Sequence, residues 1–525
     1  MNRVINKANK KLSLSNAALL LIGATLLAQL LGFFRLRLVA ANFSPASTDA
    51  YFAAFQIPDF FYLTIAAGVL GVAFMPVLAE RLHANDRKAI WDITSSLLNL
   101  MTIVMLAAAV FIFIFAEPLV HHIVGPGLDQ TQLHQATTIM RIVAINPLLF
   151  TLSGILTSAQ QTFGRFFFFA VAPLMYNLSI ISSIYIFKYH LGVVGLGIGA
   201  LVGASLQLLV ASFGLWGLKF KWKPRIKLSS DFKFIMRKLP ARAIDQGVDS
   251  INSIVETNRA TVLKTGAVTS YNLASTIMNV PVMLFGTTIA TAAFPRLNDR
   301  LAQGRNDLFH KEFFKVVETM VWIAMPITVV TFFTRGYLAR LIFAKANPDV
   351  AVILGFLSVA IFARTMYTII SRYFYAKKDT STPLFVSLFV IALNIILVFS
   401  FAKPGEYGIA GLAIAQSIAA ATEIVILLLV IFIRDPYIFN AAFWGAILKI
   451  FSVTGFSVMT AFIMVSIFPL KIADKGIVTL GIKFAFIAGP TLLVHLFVSY
   501  LFGLDESRIV FKKVRQLILK PLQIQ

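Results

Sequence analysis

The sequence predicts an all-α polytopic membrane protein with 14 transmembrane helices. Of its 525 residues, 58% are hydrophobic and only 13% are charged, and a water-soluble domain with so few charges could not cover its surface. Apolar stretches of about 20 residues, the length that crosses a hydrocarbon core, follow one another along the chain. The absence of cysteine excludes disulfides and thiolate metal sites.

Hydropathy gives the spans in chain order. The basic N-terminal head precedes a long apolar stretch without a small-residue cleavage site, which indicates a retained first helix rather than a signal peptide. Pro58 and Pro281, inside spans 2 and 8, mark places where a helix can bend. The predicted limits are 16–41, 50–79, 90–116, 132–160, 165–188, 193–217, 239–264, 266–294, 309–334, 347–376, 381–402, 407–433, 442–468 and 475–502.

Positive charge predicts the orientation. Lys and Arg are concentrated in the loops on one side of the predicted spans, and segment 218–238 is the longest basic linker. Basic loops stay in the cytoplasm, so we expect both termini to be cytoplasmic. The net charge of +23 then indicates attraction to anionic membrane lipids and not binding of nucleic acid.

Internal similarity predicts a duplication. AFMPVLAERL at 73–82 returns as AAFPRLNDRL at 292–301, and GVVGLGIGA at 192–200 returns as GIAGLAIAQ at 408–416. Six spans per repeat is an even number, so two six-helix lobes would be related by an axis along the membrane normal, with two C-terminal helices outside the duplication. The predicted domains are an N-terminal lobe 1–217, a basic cytoplasmic linker 218–238, a C-terminal lobe 239–433, spans 13 and 14 at 434–502, and a cytoplasmic amphipathic tail 503–525.

Charged residues occur inside the first two spans. Arg35 and Arg37 lie in span 1 and Asp59 lies in span 2. Hydrocarbon cannot solvate a guanidinium or a carboxylate, so these side chains are expected to face protein or a water-filled cavity, which makes them candidate site residues. The alternative, which is stronger for Arg37, is that the side chain snorkels to the membrane interface.

Span 7 is the most polar span. Six of its residues recur at steps of three and four, which places them on one helical face over roughly 25 Å. Such a face cannot contact lipid and predicts the wall of a hydrated cavity; the alternative is an internal ladder of ion pairs. The six residues are Arg242, Asp245, Asp249, Asn252, Glu256 and Arg259.

No enzyme or metal motif is visible. The sequence lacks a Walker loop, a Gly-x-Ser-x-Gly elbow, a His-Glu-x-x-His pair and a metal-spaced His/Asp set. His495 is isolated in span 14 and is interpreted as a hydrogen-bonded packing residue. We therefore expect a transporter without catalytic residues, metal site or cofactor, apart from a coupling Na+ or H+.

Four motifs resemble those of the MurJ/MviN family of lipid II flippases, within the multidrug/oligosaccharidyl-lipid/polysaccharide exporter superfamily. They are LGFFR at 31–35, TDAYFAAFQIP at 48–58, AGVLGVAFMPVL at 67–78 and TSYNLASTIMNVPVMLFGTTIATAAFPRL at 269–297. The resemblance implies a bacterial cytoplasmic membrane protein, a central cavity for a pyrophosphate and sugar headgroup, and a groove at spans 13 and 14 for a polyprenyl tail. It also implies alternating access driven by an ion gradient or the membrane potential.

The resemblance also implies site residues. Arg35 matches the family's first-span arginine and Asp49 its second-span aspartate, whereas an arginine pair and a glutamate of span 2 are replaced by Tyr62, Leu63 and Ala67. Because a pyrophosphate needs cationic partners, other arginines are expected to substitute. The substrate-binding candidates are Arg35, Arg37, Asp49, Arg242, Asn252, Arg259, Asn272 and Thr276, the last in place of a family arginine in span 8, and the ion-coupling candidates are Asp245, Asp249 and Glu256.

The predicted function is to flip lipid II, or a similar undecaprenyl-pyrophosphate glycan, as a monomer for peptidoglycan synthesis. Three alternatives remain open: a flippase for another polyprenyl-linked polysaccharide unit, a cation-coupled antiporter of organic cations, and a membrane scaffold that transports nothing. The acids of span 7 would bind the cation in the antiporter, and a closed ion-pair ladder in span 7 would favour the scaffold.

Overall fold

The protein is helical almost throughout the part of the chain that its computed structural model describes, which is residues 9, 14–67, 74–342, 347–474, 476–508 and 510–512. The side chains of residues 14–19, 66–67, 240–242, 244–246 and 342 fall outside this description. The described part contains seventeen α-helices and no strand. A membrane span favours helices, because hydrocarbon offers no hydrogen-bonding partners and the backbone N–H and C=O groups of a helix bond to one another.

Packing divides the chain into two compact units, Met1–Thr269 (unit 1) and Ser270–Gln525 (unit 2). Helices α1 to α9 belong to unit 1: α1 Leu14–Asn42, α2 Pro45–Phe61, α3 Met75–His83, α4 Arg87–Pro118, α5 Gln130–Val143, α6 Asn146–Thr162, α7 Phe167–Phe187, α8 Val194–Phe213 and α9 Ser230–Leu263. Two π-helical segments continue α2 and α4, and we name them π1, Tyr62–Ala67, and π2, Leu119–Val124.

Helix α10, Ala267–Pro281, begins in unit 1, and the division falls within it. The remaining helices are α11 Thr288–Ala302, α12 Asn306–Ile342, α13 Pro348–Ala376, α14 Ser381–Phe401, α15 Gly408–Arg434, α16 Ala441–Ile467 and α17 Ile477–Leu501, with a π segment π3, Val282–Thr287, between α10 and α11 and a 3-10 turn at Pro436–Ile438. In unit 2, α16 and α17 pack on each other and on α12.

The predicted fold class is confirmed. Twelve helices of the described part are long and apolar enough to cross a membrane. The other two predicted spans are span 2, of which residues 68–73 are not described, and span 7, which is helix α9 and carries too many polar residues. The fold is therefore that of a polytopic all-α membrane protein.

The division by packing falls at a different place from the predicted lobe boundary. The sequence assigns span 7 to the second lobe, whereas α9 packs against α2, π1 and π2 and clusters with unit 1. The predicted boundary at 218–238 rests on the repeat, which concerns common ancestry, and it stays a prediction. Packing groups α9 with the first six spans because it contacts α2, π1 and π2.

The repeat reappears in the backbone geometry. Segments π1 and π3 form one pair of matching distortions, and the left-handed residues Asn85 (φ +54°) and Gly304 (φ +70°) form a second. A third pair is Gly192 (φ +55°) and Gly408 (φ +52°). The members of each pair are separated by nearly the same length of chain as the repeated sequence segments, so the same turns and helix distortions occupy corresponding places in both halves of the sequence.

The π segments follow prolines. Pro118 and Pro281 stand directly before π2 and π3, and Pro58 lies one turn before π1. Proline removes a backbone donor and clashes with the preceding turn, so the hydrogen-bond ladder shifts register there. Near Pro58 and Pro281, where the sequence predicts that a helix can bend, the α-helix passes into a π segment.

Helices begin where the sequence supplies caps. The hydroxyl of Ser229 accepts a hydrogen bond from the Phe232 amide (3.2 Å) at the start of α9. At the start of α5, Asp129 and Gln132 form a reciprocal capping box. These bonds satisfy amides that the first helical turn leaves without an intrahelical partner.

Two apolar cores stabilise unit 1. The first joins α2 to α5, α7 and α8 and includes the fully buried Ile139 and Ile180. The second joins α3, α4 and α6 to the first turns of α9, where Phe232 is buried and Trp91 stacks on Phe163 with ring centroids 5.3 Å apart. The start of α9 is therefore anchored in an apolar core, while its later turns carry the polar face.

Two aspartates join the loops at one end of unit 2. Asp379 accepts hydrogen bonds from Arg434 (2.5 Å) and from the hydroxyl of Thr382 (2.6 Å). Asp435 is bonded to Lys377 and to the hydroxyl of Tyr373. Together the two clusters fix the α13–α14 turn against the end of α15.

The Asp379 cluster predicts a pH-dependent contribution to stability. Partial burial alone would raise the pKa of Asp379, but hydrogen bonds from Thr382 and Arg434 outweigh it and lower the pKa to about 2. Because this pKa is below the unfolded value of about 3.9, the contribution is complete above about pH 4 and is lost as the pH falls toward 2. Arg434 is nearly half exposed, so Asp379→Asn should lower the free energy of unfolding at pH 7 by only about 1 kcal/mol.

Unfolding of the purified protein in detergent, followed between pH 7 and pH 2, tests this prediction. The difference in free energy of unfolding between the wild type and Asp379→Asn should become smaller below pH 4. Asp299→Asn, at an exposed position, is the matched control and should have no effect. A difference that persisted down to pH 2 would contradict the assignment.

Candidate functional site

Arg35 occupies the interior of unit 1. It lies in α1, is half-buried, and places its guanidinium carbon 5.8 Å from the ring centroid of Tyr176 in α7. Its charge also acts on Asp59 and Tyr51 of α2. A charge on an intramembrane helix thus lies among aromatic rings and a carboxylate, as the sequence predicts for a residue that cannot face lipid. Arg37, two residues further along α1, is also half-buried.

Asp49 is buried at the start of α2, with 1% of its surface exposed. Its carboxylate accepts hydrogen bonds from the Gly266 amide, from the Thr269 amide (2.8 Å) and from the Thr269 hydroxyl (2.6 Å). A carboxylate at the first turn of α10 also complements the positive end of the helix dipole. Gly266 has φ +88°, a conformation that glycine adopts without strain. Asp49 therefore has a structural role in addition to its predicted role in substrate binding.

Helix α9 packs against α2 and π1, and its polar face is partly open. Asn252 donates a hydrogen bond to the carboxylate of Glu256 (3.0 Å), one turn away, and the Ser253 hydroxyl donates to the Gln56 side chain (3.1 Å). Glu256 is buried, with 7% of its surface exposed, whereas Asp249 is exposed. The face therefore runs from an open end at Asp249 to an enclosed end at Glu256.

The other three members of the predicted stripe are Arg259, Arg242 and Asp245. Arg259 is half-buried, one turn beyond Glu256. The side chains of Arg242 and Asp245 lie outside the described residues, although the backbone of both positions is helical. The predicted roles of all three in cargo binding or ion coupling stay predictions.

The C-terminal end of α9 is bonded to π2 and to the segment that follows it. Asn258 donates a hydrogen bond to the carbonyl of Ile123 (2.8 Å), and the Gly127 amide donates to the Thr261 hydroxyl (3.3 Å). A Cβ at Gly127 would stand 2.3 Å from the carbonyl oxygen of Thr261, so only glycine permits this close approach of the two backbones. The contact positions Glu256 along the axis of α9.

Within unit 2, α10 carries two further predicted residues. Asn272 and Thr276 are half-buried and adjacent, and the Thr276 hydroxyl donates to the carbonyl of Asn272 (2.8 Å). The Thr276 hydroxyl is thus hydrogen-bonded within its own helix. This position carries no charge, whereas the family has an arginine there. The two residues are brought together, as their four-residue spacing requires.

Unit 2 also holds polar residues whose position the sequence did not indicate. Glu423 of α15 accepts a hydrogen bond from the Ser387 hydroxyl of α14 (2.7 Å). Arg372 of α13 places its guanidinium carbon 5.1 Å from the ring centroid of Phe294. Sequence alone favours span ends for both, where snorkelling is the usual explanation, whereas both are half-buried.

The signal for Arg372 was present in the sequence. Arg364, Thr368 and Arg372 recur at steps of four residues, which places them on one side of α13. Thr368 packs near Gly286 of π3, where an added Cβ would meet its hydroxyl oxygen at 3.2 Å. The polar side of α13 therefore faces the distorted part of span 8 and not lipid.

The fold and these intramembrane charges define a multi-span transporter. A solved structure described as "Lipid II flippase MurJ, inward closed conformation" matches with TM-score 0.77 and 22% identity over 93% of this chain and 99% of that one. A multidrug resistance transporter of the MATE family in its inward-facing conformation matches with TM-score 0.65 and 15% identity over 79% and 96%. At sequence identities of 22% and 15%, the structural similarity is evidence for the fold alone.

The sequence comparison identifies the family. The family described as "Lipid II flippase MurJ" matches residues 39–506, so this chain belongs to the lipid II flippase MurJ family, whose members are transporters and not enzymes.

Two relatives show how far the similarity extends. The "Probable lipid II flippase MurJ" of Borreliella burgdorferi is 23% identical over 518 residues, covering 95% of this chain and 98% of the relative. The "Lipid II flippase MurJ" of Burkholderia cenocepacia is 26% identical over 439 residues, covering 80% and 84%. The resemblance found in the four sequence motifs is thus confirmed along most of the chain.

The hydrogen bonds of Asp49 predict that it is needed for folding. Asp49→Ala would leave two buried amides and a hydroxyl without their acceptor, which should destabilise the protein by about 3 kcal/mol. Asp49→Asn keeps one acceptor oxygen and should lose about half as much. Thermal unfolding in detergent, with transport measured on the same preparations, separates the two roles of the residue. An Asp49→Ala protein as stable as the wild type but inactive would show that Asp49 serves the cargo and not the fold.

Proposed function

We propose that the protein flips lipid II, a polyprenyl-pyrophosphate-linked glycan, across the bacterial cytoplasmic membrane for peptidoglycan synthesis. The observation that carries the proposal is the half-buried guanidinium of Arg35 beside an aromatic ring, in a chain of the lipid II flippase MurJ family. A pyrophosphate inside a membrane protein needs a desolvated cation with directed donors, and an arginine supplies them. The relatives named as lipid II flippases support this cargo.

Arg35 is held ready for an anion. The guanidinium carbon lies 5.8 Å from the Tyr176 ring centroid, and a guanidinium presents five N–H donors that can bond to phosphate oxygens. The charge of Arg35 also acts on Asp59 of α2, and the cargo's phosphate would pair with Arg35 directly. In unit 2, Arg372 lies beside Phe294 and is a second candidate for the pyrophosphate.

The polyprenyl tail needs an apolar surface. Helices α16 and α17 expose many large apolar side chains, in agreement with the tail groove that the family resemblance implies for spans 13 and 14. They include Leu448, Phe451, Met459, Phe462, Ile482, Phe486, Leu493 and Phe497. A tail held there would stay in lipid while the headgroup passes through protein.

Alternating access requires a source of free energy, and Glu256 is the candidate coupling residue. Its carboxylate is buried and bonded to Asn252. Moving a bare charge through the membrane field costs about 2.3 kcal/mol per 100 mV, so a bound Na+ or H+ would neutralise the carboxylate during reorientation. Asp249, exposed two turns earlier on α9, would lie at the entry of the ion.

The proposal also includes the orientation of the protein, the lipids around it and its oligomeric state. The basic loops place both termini in the cytoplasm, anionic lipids accompany the protein, and a monomer suffices because each chain carries both repeats. The organic-cation antiporter remains the alternative from another class, since the MATE transporters share the fold.

Arg35 predicts the first test. Arg35→Ala should weaken binding of a polyprenyl-pyrophosphate glycan roughly 10- to 100-fold, the effect of one lost charge-assisted hydrogen-bond partner, and should fail to rescue a bacterium depleted of its flippase. Arg35→Lys keeps the charge without the planar fork and should be intermediate. Arg305→Ala, on an exposed loop, is the control. Full rescue by an Arg35→Ala protein that accumulates normally would remove Arg35 from the site.

Glu256 predicts a second test, which also separates flippase from antiporter. Glu256→Gln keeps a hydrogen-bonding side chain for Asn252 but cannot be ionised. In a flippase it should abolish the dependence of transport on the ion gradient and leave glycolipid binding within about twofold, because cations hold the phosphate. Binding of the glycolipid and of a lipophilic cation should be measured on both proteins. Wild-type binding of the cation alone, lost in Glu256→Gln, would overturn the flippase proposal.

A further inference from the structure

Asn99 of α4 holds the segment between α8 and α9 through three hydrogen bonds. The Asn99 amide donates hydrogen bonds to the carbonyls of Lys223 (2.7 Å) and Arg225 (3.0 Å), and the indole of Trp222 donates to the Asn99 carbonyl (2.8 Å). Both ends of the amide are thus used to hold three neighbouring residues. We call this segment, residues 214–229, the α8–α9 connection. Its hydrogen bonds hold it in a defined position on unit 1.

Asp92 and Ser96 extend the same attachment. They precede Asn99 by seven and three residues, so the three side chains lie on one face of α4. The Asp92 carboxylate, 4% exposed, pairs with the ammonium groups of Lys223 and Lys227, and the Ser96 hydroxyl accepts from the Lys227 amide (2.9 Å). Two of the five basic residues of the α8–α9 connection are neutralised in this way.

The other three basic residues of the α8–α9 connection have exposed positive charges. Lys219, Lys221 and Arg225 are exposed, and no residue of the described chain forms an ion pair or hydrogen bond with their charged groups. Phe220 and Trp222 stand next to them in the sequence. The connection therefore presents cations beside aromatic side chains.

An open apolar groove lies beside these cations. Its volume is about 700 Å³, and its walls include Leu98 and Ile103 of α4, Leu152 of α6 and Leu208 of α8, with Trp222 and Arg225 at the end near the connection. A smaller cavity of about 360 Å³ adjoins it through Phe220 and reaches Lys219. This size lies within the range of about 300–1,000 Å³ that holds small molecules.

The groove crosses the edge of the hydrocarbon. The helix Arg87–Val124 has 38 residues and is roughly 57 Å long, about 27 Å more than the apolar core of a bilayer. Along this helix the exposed large apolar side chains begin at Ile103, so Asn99 and the connection lie at headgroup level. The apolar walls of the groove thus point into the membrane and its cationic end lies at the surface.

We propose that this groove binds a glycerophospholipid with a net negative headgroup. One acyl chain would lie along Leu208 and Ile103, and the phosphate would pair with Arg225, which lines the groove, assisted by Lys219, which lines the adjoining cavity. Complementarity of charge selects the anionic headgroup, because Arg225, Lys219 and the exposed Lys221 of the same connection are positive. Trp222, which is more than half exposed, sits where tryptophan prefers the membrane interface.

The test uses quenching of tryptophan fluorescence by brominated acyl chains. The purified full-length protein is titrated, in detergent, with brominated phosphatidylglycerol and with brominated phosphatidylcholine. The phosphatidylglycerol should quench at lower mole fraction. Arg225→Ala should raise the required mole fraction about fivefold, the factor expected for one basic residue near an anionic surface. Leu208→Phe, which places a larger side chain in the wall of the groove, should also weaken quenching.

Two controls keep the result specific to the groove. Lys311→Ala removes one exposed positive charge from unit 2 and should leave the titration unchanged. Trp222→Phe should remove most of the quenching that phosphatidylglycerol alone produces. Equal quenching by the two lipids, or a titration that Arg225→Ala and Leu208→Phe leave unchanged, would overturn the proposal. The outcome does not depend on which glycolipid the protein flips.

Discussion

Helix α9 imposes the main physical constraint on unit 1, because its polar face cannot meet hydrocarbon. Helix α9 packs against α2 and π1 on another side, where an added Cβ at Gly247 would lie 3.2 Å from Thr64. Hydrogen bonds to Gln56 and to the carbonyl of Ile123 hold the helix at two levels. The packing of α9 thus joins it to both distorted segments, π1 and π2.

Bending of the spans is built into both halves of the chain. The π segments follow prolines, and π1 and π3 stand at corresponding places in the two repeats. A π segment frees backbone groups and weakens the local ladder of hydrogen bonds, so motion of a span would concentrate there. Gly286 of π3 packs on Thr365 and Thr368 of α13. The duplicated distortions thus give each half a similar place for movement in alternating access.

The fold could be predicted from sequence because apolar length and charge placement are properties of single segments. The same holds for the packing role of His495, which is buried and bonded to Ser457 (2.9 Å). The grouping of α9 with unit 1 could not be predicted, since it depends on which helices α9 packs against in the folded protein. The capping role of Asp49 was also hidden, because its partners Gly266 and Thr269 lie far from it along the chain and meet it only in the folded protein.

Loss of the family's charged residues in spans 2 and 8 has a physical consequence for the cargo site. Tyr62, at one of those places, packs edge-on against Phe150 with ring centroids 5.5 Å apart, so this position contributes packing and no cation. Two half-buried arginines instead lie beside aromatic rings, Arg35 near Tyr176 and Arg372 near Phe294. A guanidinium is weakly hydrated and presents several N–H donors in one plane, so fewer cations can still bind a pyrophosphate if each is well positioned. Recognition in this chain would therefore depend on the aromatic residues that orient the arginines as much as on the number of charges.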